Sequence, residues 1–451
     1  MRDPLLWIAC ALYAALFTVL GAVKYAAHRN FVDFGIFAQT GASAFGCFCN
    51  GVEGSHWAFH SSPILYVAGA LLAVWKSPLA LVALQSVAGA LVAPPIYAMV
   101  RARCDVTTAR LVALTVLLYP PLAGVTFADF HENVFAPAAI AWGVWGFDAG
   151  LLGASAIAVA VALAVKEDQA IFLSVAGGIG GWMLRARDPR RARFALGVGI
   201  AGVAVAVTFF AFIQPHAGAN PAWQPTRFYA WNGGDVRALG GGLLARAGFI
   251  VLAFLPLLFV PFRSRWMLLA IVPLAEVLFS RMSTTFTMGT HYAGAWIGYV
   301  LAAYAAGLIC IAANRPLLAR RIAMWSAAVC VLELAVANPL HPGLNLRAVQ
   351  PRDVALDTFL RTLPGNAAIA TQEEAYTHLA LADPHATVLP EFSDVALTTC
   401  LALTDGDFPD SPRLEEYGVE LASLASRGRY VAVETAGEIT LYRRAGCVPT
   451  R

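Results

Sequence analysis

Between two apolar runs, residues 111–126 and 134–147, the chain carries the polar island Phe127-Ala128-Asp129-Phe130-His131-Glu132-Asn133. Asp129, His131 and Glu132 fall within four consecutive positions there. A carboxylate at bilayer depth costs roughly 2.5–3.5 kcal/mol on insertion scales, so groups kept between hydrophobic segments are candidates for chemistry. A carboxylate beside an imidazole can orient a substrate hydroxyl, act as a base or hold a divalent metal. Two further islands are similar: Asp33-Phe34-Gly35, with His60 beyond it, and Lys166-Glu167-Asp168. His291, beside Tyr292, follows a later polar stretch.

Plainer roles exist for each. Asp129 is a natural N-cap for the helix after it, with Glu132 reaching back as in a capping box. Capping, however, does not call for His131. Asp33 can start a helix, and His60 can serve as a polar contact ahead of one. Lys166-Glu167-Asp168 can neutralise itself at a helix end, and His291 can sit at the membrane interface. No nucleophile elbow, HExxH, CxxC or phosphate loop is present. Glycine runs such as Gly240-Gly241-Gly242 suit flexibility or close packing.

The elements that must position these islands follow from composition. Of 451 residues, 59% are hydrophobic and 13% charged, half the charge of a soluble domain, about 25%. The chain is therefore expected to be an integral membrane protein. Its lysines and arginines are spread over short loops, with no basic helix or aromatic-interleaved patch, which argues against a nucleic-acid partner.

Residues 5–26 are too long for a cleaved signal and read as the first span. A first outer loop, residues 28–62, carries Phe34, Phe37, Phe45 and Phe48 at near-helical spacing, suggesting an amphipathic helix on the membrane surface. Residues 63–75 are apolar but short of the roughly 20 residues a span needs, so they read as a juxtamembrane helix. With residues 79–100 as the second span, Arg101, Arg103 and Arg110 fall inside. Continuing the alternation gives about eleven spans and a cytoplasmic N-terminus. Arg185, Arg187, Arg190, Arg191 and Arg193 then lie inside, and all the polar islands outside.

From about residue 341 charge and proline become common. Residues 353–363 and 373–381 read as helices, and residues 367–370, 387–389 and 430–434 as strands. The last pairs with residues 439–443 in a hairpin across Ala436-Gly437-Glu438. The expected fold class is an all-α polytopic membrane protein with a small C-terminal α/β extracytoplasmic domain. The boundaries are a membrane domain, 1–340, and a tail domain, 341–451. Cys400 and Cys447 can pair if the tail is outside, whereas Cys47 and Cys49 are too close in sequence for an easy mutual bridge. Cys10, Cys310 and Cys330 sit in apolar runs as inert residues.

Taken in order, Asp33-Phe34-Gly35-Ile36-Phe37, His60-Ser61-Ser62-Pro63-Ile64-Leu65-Tyr66, Tyr119-Pro120-Pro121, Asp129-Phe130-His131-Glu132, Lys166-Glu167-Asp168 and Tyr376-Thr377-His378-Leu379 resemble the motifs of one family. It is the uncharacterised bacterial polytopic membrane protein family catalogued as domain of unknown function 2079. Its layout is similar to that of the GT-C superfamily of polyprenyl-phosphate-dependent glycosyltransferases. Those enzymes carry an acidic residue in the first outer loop, followed there by surface helices, and a second acidic residue in the next outer loop. By resemblance, Asp33 takes the first position and Asp129 the second. His131 beside Asp129, and the third island, depart from the usual pattern.

The resemblance implies a glycosyltransferase that moves a sugar from a polyprenyl-phosphate donor to an acceptor at the outer face of the bacterial inner membrane. Asp33 and Asp129 would be catalytic. His60, Lys166, Glu167, Asp168 and His291 would meet the donor or its phosphate. Asp129, His131 and Glu132 would hold a divalent metal. Aromatic residues from Trp223 to Trp231 would offer surface to sugar or lipid. The rival readings are a transporter or flippase for a lipid-linked molecule and a non-catalytic membrane assembly protein. The partners implied are the lipid bilayer and the lipid-linked donor.

Overall fold

In the computed structural model, residues 2–218, 242–336, 346–389, 397–406 and 429–447 are described. The chain is mostly helical. In order come α1 (Pro4–Ala26), α2 (Val32–Ala42), β1 (Cys49–Asn50), β2 (Gly54–Ser55), α3 (Leu65–Val74), α4 (Pro78–Ala90) and α5 (Ala93–Arg101). Then follow α6 (Val106–Leu117), α7 (Pro120–Phe127), α8 (Phe135–Asp148), α9 (Leu152–Leu163), α10 (Glu167–Leu184) and α11 (Pro189–Thr208). After these come α12 (Leu243–Phe254), α13 (Ile271–Phe279), α14 (Ile297–Ala312) and α15 (Pro316–Val336). The last part holds α16 (Pro351–Leu360), β3 (Ile369–Thr371), α17 (Glu373–Leu379), β4 (Thr387–Val388), β5 (Leu401–Asp405), β6 (Tyr430–Ala436) and β7 (Ile439–Arg444).

Each apolar run of the sequence forms a helix, but few are long. Among the described residues, three stretches are long and apolar enough to cross a membrane: Pro4–Ala26, Pro78–Arg101 and Pro189–His216. The α6–α7 pair makes a fourth if its 45° bend counts as one broken span. The bend has a plain cause. Pro120 and Pro121 open α7 at positions where their missing N–H groups cost nothing, and the same residues prevent α6 from running on. Caps set other boundaries: Asp105 accepts from Thr108 N–H at 3.0 Å, and Asp188 from Arg191 N–H at 3.0 Å.

The chain divides into two compact units. The first is Met1–Val19, Trp57–Ile64 and Val82–His341. In it Asp3, at the start of α1, is bound by Arg110 through two hydrogen bonds, 2.8 and 3.1 Å, and by the Tyr97 hydroxyl at 2.8 Å. Tyr13 donates to Thr126 Oγ1 at 2.9 Å. Gln85 of α4 donates to the carbonyls of Thr126 and Ala128, 2.8 Å each, and so holds the chain as it leaves α7.

The second unit is Leu20–His56, Leu65–Leu81 and Pro342–Arg451. It contains a five-stranded sheet in the order β4-β3-β5-β7-β6. β4, β3 and β5 run parallel; β7 pairs antiparallel with β5, and β6 antiparallel with β7. The expected β6–β7 hairpin is present, with an irregularity between Ala432 and Glu434. The central strand β5 went unpredicted because it is buried on both faces and lacks the polar alternation of a half-exposed strand.

Helix α2 belongs to this core. Phe34 through Gly41 are all buried, including Gln39 and Thr40, so α2 has no polar face over that stretch. Ile36 packs with Leu356, Phe359, Ile369, Tyr376 and Leu401. Gly35 is required here, because a Cβ would collide with the Tyr376 ring. Tyr376 in turn donates to Gln39 Oε1 at 2.8 Å.

Two disulfides lie in the second unit. Cys400–Cys447 forms as the composition allowed. Cys47–Cys49 forms too, contrary to expectation. Phe48 between them adopts a left-handed φ of 49°, which folds the backbone so that the two Cα atoms stand 5.2 Å apart. That lies within the 4.4–6.8 Å range of ordinary disulfides.

Candidate functional site

The first unit gathers polar groups from four places where its helices stop. His60 and Ser61 come from the segment Trp57–Ile64, tied to the α9–α10 turn by the bond from Ile64 N–H to Ala164 O at 2.8 Å. Asp129, His131 and Glu132 come from the α7–α8 connection. Lys166, Glu167 and Asp168 open α10, where the acids favour the helix N-terminus. His291 opens the 3-10 turn His291–Ala295. That turn comes close because Gly294 has no side chain: a Cβ there would run into the Asn133 carbonyl.

His60 Nδ1 lies 2.8 Å from Glu167 Oε1, and Ser61 N–H donates to Glu167 Oε2 at 2.9 Å. His131 Nδ1 lies 2.8 Å from Glu132 Oε2, and Lys166 Nζ lies 3.7 Å from Glu132 Oε1. The His291 ring stacks on that of His131, centroids 3.8 Å apart and planes 12° apart. A distance of 2.8 Å to a carboxylate requires a proton on His131 Nδ1, so the 3.4 Å approach of Asn133 N–H to the same nitrogen contributes little.

Glu132 is at the centre and fully buried. Beyond the His131 contact, Glu132 keeps lone pairs that no described residue fills with a well-directed hydrogen bond, and so does Asp168 Oδ1. A buried carboxylate with spare lone pairs suits a hydroxyl donor or a cation.

The protonation states follow from the contacts. Burial and neighbouring Lys166 push His60 down, but the Glu167 carboxylate outweighs them and its pKa lies above the ordinary imidazole value. Burial holds His131 down to about 4 despite Glu132, and burial also holds His291 well below its ordinary value. Both are therefore neutral at pH 7. Burial opposes the charge of Glu132, but His131 and Lys166 outweigh it and keep the group ionised. Lys166 is raised: burial works against it, and Glu132, Asp168 and Glu167 overcome that. The cluster is a balanced set of buried charges with a stacked pair of neutral imidazoles beside it.

Of the residues singled out in the sequence, His60, His131, Glu132, Lys166, Glu167 and His291 are brought together here. Asp168 follows Glu167 in the first turn of α10, and Asp129 is buried two residues before His131. Asp33 is in the first turn of α2, in the second unit. The stretch from Trp223 to Trp231 lies outside the described residues. A further constellation, His28, Asp357 and His378, was not singled out as a site. Its members come from opposite ends of the chain, and only the Tyr376-Thr377-His378-Leu379 motif gave any signal.

The family model described as a predicted membrane protein (DUF2079) matches residues 32–233, the stretch that holds most of the recognised motifs. The crystal structure of ArnT from Cupriavidus metallidurans bound to undecaprenyl phosphate is similar at a TM-score of 0.59. Its identity is 13%, and 99% of each chain is covered. ArnT in the apo state matches at 0.54, with 14% identity and 97% of each chain covered. The chain therefore has the GT-C-like fold of ArnT, with a C-terminal sheet. The Archaeoglobus fulgidus oligosaccharyltransferase, solved with Zn and sulfate, is more distantly similar, at a TM-score of 0.41 with 13% identity over 95% of this chain and 73% of that one. No functionally curated protein matches the chain.

Proposed function

We propose that the protein transfers a sugar from a polyprenyl-phosphate carrier to an acceptor at the outer face of the bacterial inner membrane. The observation that carries this reading is the buried cluster on Glu132, with its spare acceptor capacity, in a fold shared with a protein solved with undecaprenyl phosphate. All the groups of the cluster sit at helix ends or in connections. Charges in mid-helix, as a transport path would use, are not what the cluster offers.

In this reading Asp33 is the base for the acceptor hydroxyl, and Asp129 the second catalytic carboxylate. Lys166 meets the donor phosphate as a point charge. His60, Glu167, Asp168 and His291 shape the donor pocket. The carboxylates balance the cations already present, so a phosphate entering the pocket needs added positive charge. A divalent ion would supply it, and Glu132 and His131, with Asp129, are the residues proposed to hold one. The disulfide Cys400–Cys447 supports an extracytoplasmic tail, residues 341–451, and Cys47–Cys49 an outer position for the first loop. The same reading keeps about eleven spans, a membrane domain of residues 1–340 and a cytoplasmic N-terminus.

The test is product formation in cells with an intact donor pathway, read by mass spectrometry of the lipid-linked and acceptor pools. Asp33→Asn, Asp129→Asn and Glu132→Gln should each reduce product at least a hundredfold while the protein stays in the membrane. Unchanged product from all three variants would remove the catalytic assignment.

A further inference from the structure

His28, Asp357 and His378 converge within the second unit. His28 Nε2 lies 3.2 Å from Asp357 Oδ1, and His378 Nδ1 lies 2.9 Å from the same oxygen. Each ring also meets a backbone carbonyl through its other nitrogen. His28 Nδ1 is 3.3 Å from Glu374 O, and His378 Nε2 is 3.0 Å from Tyr25 O. The rings stack at 3.7 Å with 12° between their planes, and Tyr25 stacks on the far side of His378 at 4.1 Å. The His28 and His378 side chains are almost wholly buried.

This arrangement leaves a proton problem. Every ring nitrogen faces an oxygen acceptor, yet a neutral imidazole carries one N–H. In either neutral tautomer, each ring would press a lone pair against an oxygen. Protonating both rings would stack two imidazolium ions against one carboxylate, which is costly in a buried site. A cation among the three side chains removes the conflict. Each imidazole then donates its N–H to the backbone carbonyl and turns its lone pair to the ion. A histidine whose second nitrogen is fixed by a carbonyl is the usual outer partner arrangement of a metal ligand.

The backbone supplies an independent observation. His28 ends α1 with φ +50°, the left-handed conformation in which glycine or asparagine usually closes a helix. Its N–H bonds Tyr25 O at 2.9 Å, and Arg29 N–H bonds Lys24 O at 3.1 Å. An imidazole is held there against a local preference of roughly 1 kcal/mol.

We propose that His28, Asp357 and His378 bind one divalent transition ion, of the zinc class, that fastens the end of α1 to α16 and α17. Two imidazoles and a carboxylate are a ligand set that zinc accepts, with the fourth position left to water. Adjacent ligands around a tetrahedral ion with bonds of 2.0–2.1 Å stand roughly 3.3 Å apart. The 2.9 and 3.2 Å separations are already close to that. On binding, the rings rotate out of parallel to aim both lone pairs at the ion.

The experiment uses the purified full chain in detergent, stripped with chelator, then equilibrated with zinc ion alone and desalted. Wild type should retain one zinc per chain by elemental mass spectrometry. His378→Gln and Asp357→Asn should weaken retention at least tenfold, whereas His385→Gln, at an exposed histidine of the same unit, should not. Zinc-edge absorption of the wild-type chain needs no variant and should report two imidazoles. Wild type retaining no zinc, zinc surviving His378→Gln unchanged, or a spectrum without imidazole ligation would each overturn the proposal.

Discussion

Replacing Glu132 with Gln tests the electrostatic logic of the cluster most directly. Gln keeps the shape and an acceptor for His131 Nδ1 but removes the charge. At 3.7 Å, an effective dielectric constant of about 20 makes the gross Lys166–Glu132 attraction about 4.5 kcal/mol. Breaking a buried pair by removing one partner costs about 3–5 kcal/mol, because the other charge is stranded. Glu167 and Asp168 also face Lys166 and retain part of the compensation. The expected loss for Glu132→Gln is therefore about 2–3 kcal/mol. Lys166→Met removes the stranded cation, so the double variant should recover much of that loss. The cycle should show a coupling of about 1.5 kcal/mol or more. The assay is unfolding of the purified chain in mixed micelles by titration with denaturing detergent, followed by circular dichroism. A coupling below about 0.5 kcal/mol would refute the idea that Glu132 is what holds the Lys166 charge.

Gly35→Ala should destabilise the second unit by about 1–3 kcal/mol, since the added methyl meets the buried Tyr376 ring. Gly153→Ala in α9, where a Cβ meets nothing, should instead be neutral or stabilising by up to about 1 kcal/mol. Thermal melts of the two variants separate these outcomes. Opening Cys400–Cys447 as paired serines removes a link across 47 positions, worth about 4 kcal/mol by chain entropy. Limited proteolysis of the tail should accelerate accordingly, and an unchanged cleavage rate would count against a stabilising link. The His60–Glu167 pair sets a pH dependence. Because the folded pKa of His60 is raised, its contribution is complete below about pH 6.5 and is lost as pH rises through the folded value. His131, held down to about 4, acts oppositely, costing stability as pH falls below about 6.5. Unfolding midpoints between pH 6 and 8 should fall for wild type and flatten for Glu167→Gln; equal slopes would sink the assignment.

Local chemistry was legible in the chain itself. Apolar runs marked the helices and Ala436-Gly437-Glu438 the hairpin, because each depends on neighbours within a few positions; the break at Pro120 and Pro121 appeared only in the structure. The islands at His60, His131, Glu132, Lys166, Glu167 and His291 stood out for a similar reason: charge between apolar segments is costly, and so rare. Which island meets which was a matter for the tertiary structure. Glu167 pairs with His60 across 107 positions, and His291 reaches His131 because Gly294 allows the close approach. Sequence spacing carries no information about such contacts, since they depend on how whole helices pack. The same holds for Cys47–Cys49, where one left-handed residue overrides the apparent shortness of the spacing. It holds most for His28 and Asp357, each unremarkable in its own stretch, and for His378, which stood out only within the motif Tyr376-Thr377-His378-Leu379. Only the packing of the end of α1 with α16 and α17 within one unit brings four ring nitrogens and three oxygen acceptors so close that the protons cannot be arranged without conflict.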